Sequence, residues 1–252
     1  MLTNDKGKAM TTEAKSVEAD TQEIEAIEQA AAALDTAEPE EILRWAIDRY
    51  GEGLTLACSF GGISGMVLLD TVQRLAPDTE VFYLDTDYLF PETYEMVDTS
   101  RVRWPEAHIV GYKTDVTPEE QARLYGERLW ERDPDLCCEI RKVEPNRRAL
   151  LGKRAWISGL RRDQSSDRGA TLAVQWDAKF GLVKVNPLIN WDEKRVWAYI
   201  FKYSVPYNPL HDRGYPSIGC TNCTKAVNPG DDPRSGRWAD TDKNECGLHT
   251  AP

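Results

Sequence analysis

The sequence predicts an α/β fold: an open, mostly parallel sheet with helices on both faces, followed by an irregular C-terminal tail. Three observations predict it. From residue 54 onward, short apolar runs of strand length alternate with stretches that carry a helical apolar face, the pattern of successive strand–helix crossovers. The first of these runs leads directly into a Gly-Gly turn, Gly61-Gly62, with a helix behind it. Residues 204–252 are rich in Pro, Gly, Asn and Asp and show no periodicity. In folds of this class ligands sit beyond the C-terminal ends of the strands, so the strand-end loops are where chemistry is expected.

Taken in order, residues 1–19 are polar and acidic without periodicity, as in disordered segments. Residues 22–34 read as a helix with Ile24, Ile27, Ala31 and Leu34 on one face and Thr21 as its cap. Residues 39–50 read as a stronger one. Pro39 lies in its first turn, Ile42, Leu43, Ala46, Ile47 and Tyr50 form its apolar face, and Gly51 ends it. LTLACSF (54–60) is the first buried strand and MVLLDTVQRLA (66–76) its helix. EVFYLDTD (80–87) and PETYEMVDTSRVRW (91–104) repeat the pattern, and HIVGYK (108–113) is the third strand. Thr117, Pro118 and Glu120 open the next helix with a capping box and a first-turn proline. A basic helix over about 139–151 precedes the strand RAWISGL (154–160), and Asn190 and Glu193 are expected to cap a helix at 191–203.

The 252 residues carry a net charge of −11, unevenly placed. Residues 1–40 hold ten acidic and three basic residues, hence −7, which leaves −4 for the other 212. Residues 141–168 hold nine basic against three acidic residues, a local +6. So compact a surplus suits a small anion, such as a nucleotide or sulfate, better than nucleic acid, which calls for a broader one. A solvated charged face is the bland alternative. No apolar run approaches the ~18 residues a membrane span needs. The opening MLTNDKGKAM lacks the apolar core of a signal peptide. A cytoplasmic protein without membrane contact is expected.

Six cysteines are present: Cys58, the adjacent pair Cys137-Cys138, the CxxC pair Cys220 and Cys223, and Cys246. Adjacent cysteines rarely bridge each other, so four thiolates for zinc or an iron–sulfur cluster fit better than disulfides. Zinc sites normally use two spaced pairs, which tilts the choice towards iron–sulfur, with Arg141 and Lys142 close by to offset a negative cluster. The side chains of neighbouring residues diverge in regular structure, so Cys137 and Cys138 reach one cluster only with local distortion. The loop Ser59–Gly65 has glycines that let backbone N–H groups approach phosphate, and hydroxyls at Ser59 and Ser64. It lacks GK[ST] and is no Walker loop; an ordinary strand–helix turn is the alternative. Asp85 and Thr86 fall at a strand end, facing the expected nucleotide. GLRRDQSSDR (159–168) brings Arg161, Arg162 and Arg168 to the same edge, and Arg234 and Arg237 are spaced to clamp one anion if locally helical. Cys246 lies beside Glu245, whose charge disfavours a thiolate, so activation requires cations from elsewhere.

Together, SFGG (59–62), LDTDYLFPET (84–93), CCEIRKVEP (137–145), GLRRDQS (159–165), GCTNC (219–223) and ECGLH (245–249) resemble the assimilatory adenylyl-sulfate (APS) reductases of the phosphoadenylyl-sulfate (PAPS) reductase family, from about residue 40 to 249. The loop is similar to that of adenine-nucleotide α-hydrolase-like proteins. Two departures stand out: Ser64-Gly65 where relatives usually carry an acidic pair, and Asp87 where many have glycine. The resemblance implies reduction of APS to sulfite and AMP, in sulfate assimilation and cysteine biosynthesis. It implies a [4Fe–4S] cluster on Cys137, Cys138, Cys220 and Cys223. Cys246 is the expected nucleophile, forming a cysteine S-sulfonate, with His249 and Lys142 assisting. Ser59, Gly61, Gly62, Ser64, Leu84, Asp85 and Gly159 are expected to hold the nucleotide, and Arg168, Arg234 and Arg237 the phosphosulfate. With four cysteines on the cluster and Cys58 in a strand, no resolving thiol remains, so thioredoxin is the expected reductant. Homodimers or homotetramers occur among relatives. The alternative is a PAPS or dual-specificity reductase; an ATP-using sulfur-insertion enzyme and a zinc-bound nucleic acid module stand further off. The chain is expected to divide into an acidic, flexible segment (1–35), a nucleotide-binding and iron–sulfur domain (36–227), and a mobile segment carrying Cys246 (228–252).

Overall fold

The computed structural model describes residues 21–165, 168–239, 241, 243 and 245–249. Its centre is a six-stranded sheet in the order β3-β2-β1-β4-β6-β5. The strands are β1 (Leu54–Ala57), β2 (Glu80–Leu84), β3 (Ile109–Tyr112), β4 (Ala155–Ile157), β5 (Val174–Asp177) and β6 (Leu182–Val185). All neighbouring pairs are parallel except β5–β6, an antiparallel hairpin at one edge. The expected mostly parallel sheet is present. The hairpin is an addition, because β5 includes Gln175 and Asp177 and lacks the apolar run that marks a buried strand.

Side-chain alternation sorts the sheet into two faces. Val81, Ala155, Ile157, Val183 and Val185 join the larger core, while Phe82, Trp156 and Leu182, one residue out of step, join a smaller one. The larger core is covered by α1 (Thr21–Ala33), α2 (Pro39–Tyr50), α3 (Ile63–Leu75), α4 (Pro91–Arg103) and α9 (Glu193–Tyr203). The smaller is covered by α8 (Glu144–Leu150). The remaining helices are α5 (Pro118–Tyr125), α6 (Leu129–Arg132) and α7 (Pro134–Cys138). Helices therefore lie on both faces, as expected.

Several boundaries shift for physical reasons. The first strand stops at Ala57 because Phe60 takes a left-handed φ of 54°, and α3 begins at Ile63, so Ser64 and Gly65 lie in its first turn. The capping box of α5 is present, with the Thr117 hydroxyl accepting from the Glu120 N–H. Asn190 and Glu193 do not cap α9. Asp192 does, accepting from the Arg195 N–H at 2.8 Å, while the Asn190 amide donates to the Asp35 carbonyl at 2.5 Å. The helix expected over 22–34 is present as α1, which packs on β5 with Ile27, Ala30 and Ala31 buried. The expected disorder of 1–19 lies outside the described residues. No described helix is long and apolar enough to cross a membrane.

Candidate active site

Beyond the C-terminal ends of β1, β2 and β4 lies a cavity of about 880 Å³. Its floor is the loop after β1, with Ser59, Gly61 and Gly62, then Ser64 in the first turn of α3. Leu84 from the end of β2 and Gly159 after β4 face it as well. Two of the glycines are tightly packed: a Cβ at Gly61 would lie 3.0 Å from the Ile218 side chain, and one at Gly159 would lie 3.2 Å from Ser64 Cβ. The Ser59 hydroxyl accepts from the Gly62 N–H at 3.3 Å and so shapes its own loop. The Ser64 hydroxyl accepts from Arg161 Nη1 at 2.5 Å, and Arg161 is braced by Asp163 at 2.8 Å. A buried guanidinium thus stands behind Ser64. Asp85 departs from expectation. It does not line the cavity; its carboxylate accepts from the Tyr94 hydroxyl at 2.7 Å and from the Asp87 N–H at 3.1 Å, closing its own loop.

The opposite wall is cationic. Lys142, Arg168, Arg234 and Arg237 all face the cavity, and the tail brings Cys246 and His249 to it from the far end of the chain. Several contacts dock the described part of the tail. Arg168 donates to one Glu245 oxygen from Nε at 2.9 Å and from Nη2 at 2.6 Å. Arg234 pairs with the same oxygen at 3.2 Å. Lys179 donates to the Gly247 carbonyl at 2.7 Å. The His249 ring stacks on Trp156, with centroids 5.7 Å apart and planes 11° from parallel. Arg234 and Arg237 bracket a turn rather than a helix: Ser235 and Arg237 close it through backbone hydrogen bonds to Asp232 and Arg234. Arg237 lies over Trp238 at 4.4 Å.

Electrostatics follow burial. Burial alone would depress the Lys142 ammonium, but the sulfurs of Cys220, Cys246 and Cys138 outweigh it, so Lys142 stays charged. Burial, with Lys184, Arg168 and Arg234 nearby, drives His249 well below its usual range, so the ring is neutral. Its Nδ1 is buried without a partner. Behind Trp156 stands Lys184, 4.9 Å from that ring, pushed down to about 8 by burial against the opposing pull of Asp177.

The four remaining site cysteines surround a second, small cavity next to the first. Cys137 and Cys138 end α7, and the chain passes at once into a π-helical turn, Glu139–Val143. A π-turn is a local distortion typical of functional positions, and the adjacent pair calls for one. Cys220 caps and Cys223 ends the 3₁₀ turn Thr221–Cys223, tied down by a Thr224↔Arg237 bridge and by the Trp238 N–H to the Cys223 carbonyl. The Thr86 hydroxyl lies 3.3 Å from Cys220 Sγ, and Gln121 donates to Cys137 Sγ at 3.9 Å. Burial pushes the Cys137 thiol up to about 11 and Cys223 up to about 12, so ligation must expel protons. Among the described residues no three His, Cys, Asp or Glu side chains are grouped as a single metal ion requires. The donor set is four thiols around one cavity, with buried Arg141 and Lys142 alongside. That chemistry fits a multi-atom, sulfur-ligated, negatively charged group.

Sequence reasoning missed three contributors. Trp156 reads as an ordinary strand residue, and nothing local signals that a tail histidine ninety-three positions on will stack on it. Glu245 was read only as a hindrance to Cys246, whereas it is the anion held by two arginines. Lys184 sits in a strand that was not recognised.

Comparison with known proteins agrees with this geometry. The phosphoadenosine phosphosulfate reductase domain model matches residues 53–226. A protein of Halalkalibacterium halodurans named adenosine 5′-phosphosulfate reductase is 48% identical over 217 residues, covering 86% of this chain and 94% of its own. One of the same name from Shouchella clausii is 52% identical over 209 residues, covering 83% and 86%. Among solved structures, phosphoadenylyl-sulfate reductase from Candida auris, a phosphate complex, superposes with a TM-score of 0.71 at 33% identity, covering 84% of this chain and all of that one. An FMN adenylyltransferase from Candida glabrata shares the fold alone, with a TM-score of 0.55 at 17% identity over 88% and 74%.

Proposed function

The chain belongs to the phosphoadenosine phosphosulfate reductase domain family, and from that premise we propose that it reduces adenylyl sulfate to sulfite and AMP. The observation that carries the reading is the meeting, at one cavity, of a glycine loop, a cationic wall and a docked tail thiol, with a four-cysteine group next door. The relatives named for the unphosphorylated substrate, at 48% and 52% identity, favour APS over PAPS.

The Gly61-Gly62 loop and the first turn of α3 present backbone donors to the nucleotide phosphate. Cys246 Sγ, as thiolate, attacks the sulfur of the bound phosphosulfate. The S–O bond to phosphate breaks, AMP leaves with the electron pair, and the thiol is left as Cys–S–SO₃⁻. Lys142, Arg168, Arg234 and Arg237 stabilise the charge that gathers on the leaving phosphate, in a site partly closed to water. His249, neutral and stacked on Trp156, orients the Cys246 turn. A dithiol, thioredoxin by family reading, then attacks Cys246 Sγ and expels sulfite, ending as its own disulfide. Cys137, Cys138, Cys220 and Cys223 are assigned to a [4Fe–4S] cluster, which when bound supplies a fixed negative body beside Lys142. Residues 36–227 then form the nucleotide and cluster unit, and 228–252 the segment that delivers Cys246. The wider reading is a cytoplasmic homodimer or homotetramer serving sulfate assimilation.

The test is anaerobic purification followed by assay. About four irons and four sulfides per chain, and AMP and sulfite formed from APS with thioredoxin, are expected. Zinc without sulfide would remove the cluster assignment. Faster turnover of PAPS than APS would replace the substrate.

A further inference from the structure

Asp87 stands in the loop after β2 with φ at +61°, a left-handed conformation that L-residues seldom adopt. Asp and Asn are tolerated there when their short side chains bond locally. Asp87 does something else. Its carboxylate leaves the loop and joins two cations from separate elements. One oxygen accepts from Arg141 Nη1 at 2.7 Å, and the other pairs closely with Lys113, just after β3.

The three charges differ in depth. The Arg141 side chain is 1% exposed, Asp87 14% and Lys113 47%, so the triad runs from the interior to solvent. Arg141 is held on every side but one. Nε donates to Gln121 Oε1 at 2.8 Å, the guanidinium lies 5.1 Å from the Tyr88 ring centroid, and Asp87 takes Nη1. Nη2 is buried without a partner. Arg141 and Tyr88 both line the small cavity of the four thiols, and Gln121 reaches Cys137 Sγ. Without Asp87, the buried guanidinium would lose its ion-pair partner, a strongly unfavourable arrangement.

We propose that Asp87 is a positioning and charge-setting residue for the four-cysteine site. It fixes Arg141 so that Nη2 is presented to the sulfur-ligated group, and its own charge, partly screened by Lys113, sets the potential there. The proposal rests on the iron–sulfur reading given above. It makes Lys113 a half-exposed modulator whose effect is opposite in sign to that of Asp87.

Three anaerobically purified proteins test it: wild type, Asp87→Asn and Lys113→Met. Iron and acid-labile sulfide are counted first, and the cluster is then titrated with mediators while its visible absorbance and paramagnetic resonance are followed. Asp87→Asn keeps a side chain suited to φ above zero and removes one negative charge. Wild-type iron is expected, with the reduced-to-oxidised ratio at fixed potential raised about tenfold. Lys113→Met should lower that ratio about two- to threefold, less because its partner is solvent-screened. If Asp87→Asn loses its iron, the Lys113→Met shift decides alone. Full iron with unchanged ratios, or shifts of the same sign in both variants, would overturn the role of Asp87 and leave the cluster intact as a reading. Zinc without sulfide in the wild type would instead overturn the cluster reading and this proposal with it.

Discussion

At the scale of single residues, the site is built by cations that burial would rather neutralise. Lys142 is 8% exposed yet keeps its proton, because three sulfurs surround it. Like Cys220, it lines both the substrate cavity and the four-thiol cavity. Lys142→Ala should lower kcat by about 10² to 10³, the loss expected when a preorganised charge is removed from a developing anion. Iron content should stay at the wild-type level, since Lys142 is not a ligand. Parallel loss of iron and turnover would make Lys142 a structural prop instead. The sequence disclosed Lys142, the arginines and Cys246 because their motifs are local. It misjudged Asp85, whose carboxylate serves the neighbouring Tyr94 and Asp87, because a strand-end acid looks the same whether it turns outward to a ligand or back to its own loop.

At the scale of elements, charge contacts and one ring stack dock the described part of the tail. Glu245 occupies the arginines assigned to the phosphosulfate, so the docked tail competes with the anion for Arg168 and Arg234. Charge-assisted bonds of this kind contribute about 1.5–3 kcal/mol. Glu245→Gln should therefore raise the rate of Cys246 alkylation by iodoacetamide about tenfold in the ligand-free protein; an unchanged rate would show that the other contacts alone hold the tail. The His249 stack adds a pH dependence. Docked, its pKa lies well below the ordinary 6.5, so the undocked ring binds more protons in the window beneath that value. Docking is at full strength above about pH 7 and weakens as pH falls through about 6. Proteolysis of the tail should accelerate at pH 5.5 relative to pH 7.5, and His249→Phe, which keeps a ring and loses the proton site, should remove the difference. Such pairings lie beyond sequence reading, because Glu245 meets Arg168 across seventy-seven positions and no periodicity links them.

At the scale of the whole molecule, the fold was legible where the pattern repeats and opaque where it breaks. Each βα unit from Leu54 to Tyr112 announces itself by an apolar run and a helical face, and both sheet faces follow from alternation. The β5–β6 hairpin lies at an edge with Gln175, Asp177 and Lys184 in its strands, so it lacks the apolar run that marks a central strand. Yet that hairpin supplies Lys179 and Lys184, which hold the tail and stand behind its platform. On the proposed reading Cys246 is the thiol that acts: four others share the small cavity, and Cys58 is buried just after β1 with its thiol pushed up to about 12. A single-turnover experiment follows from that count. With APS and no dithiol, the enzyme should release one AMP per chain and stop, and intact-mass analysis should find one added sulfonate on Cys246. Added reduced thioredoxin should then release the sulfite and restore turnover. Sulfite released without any dithiol would mean that a second cysteine of the chain resolves the intermediate, and Cys58 and the four-thiol group would both have to be reassigned.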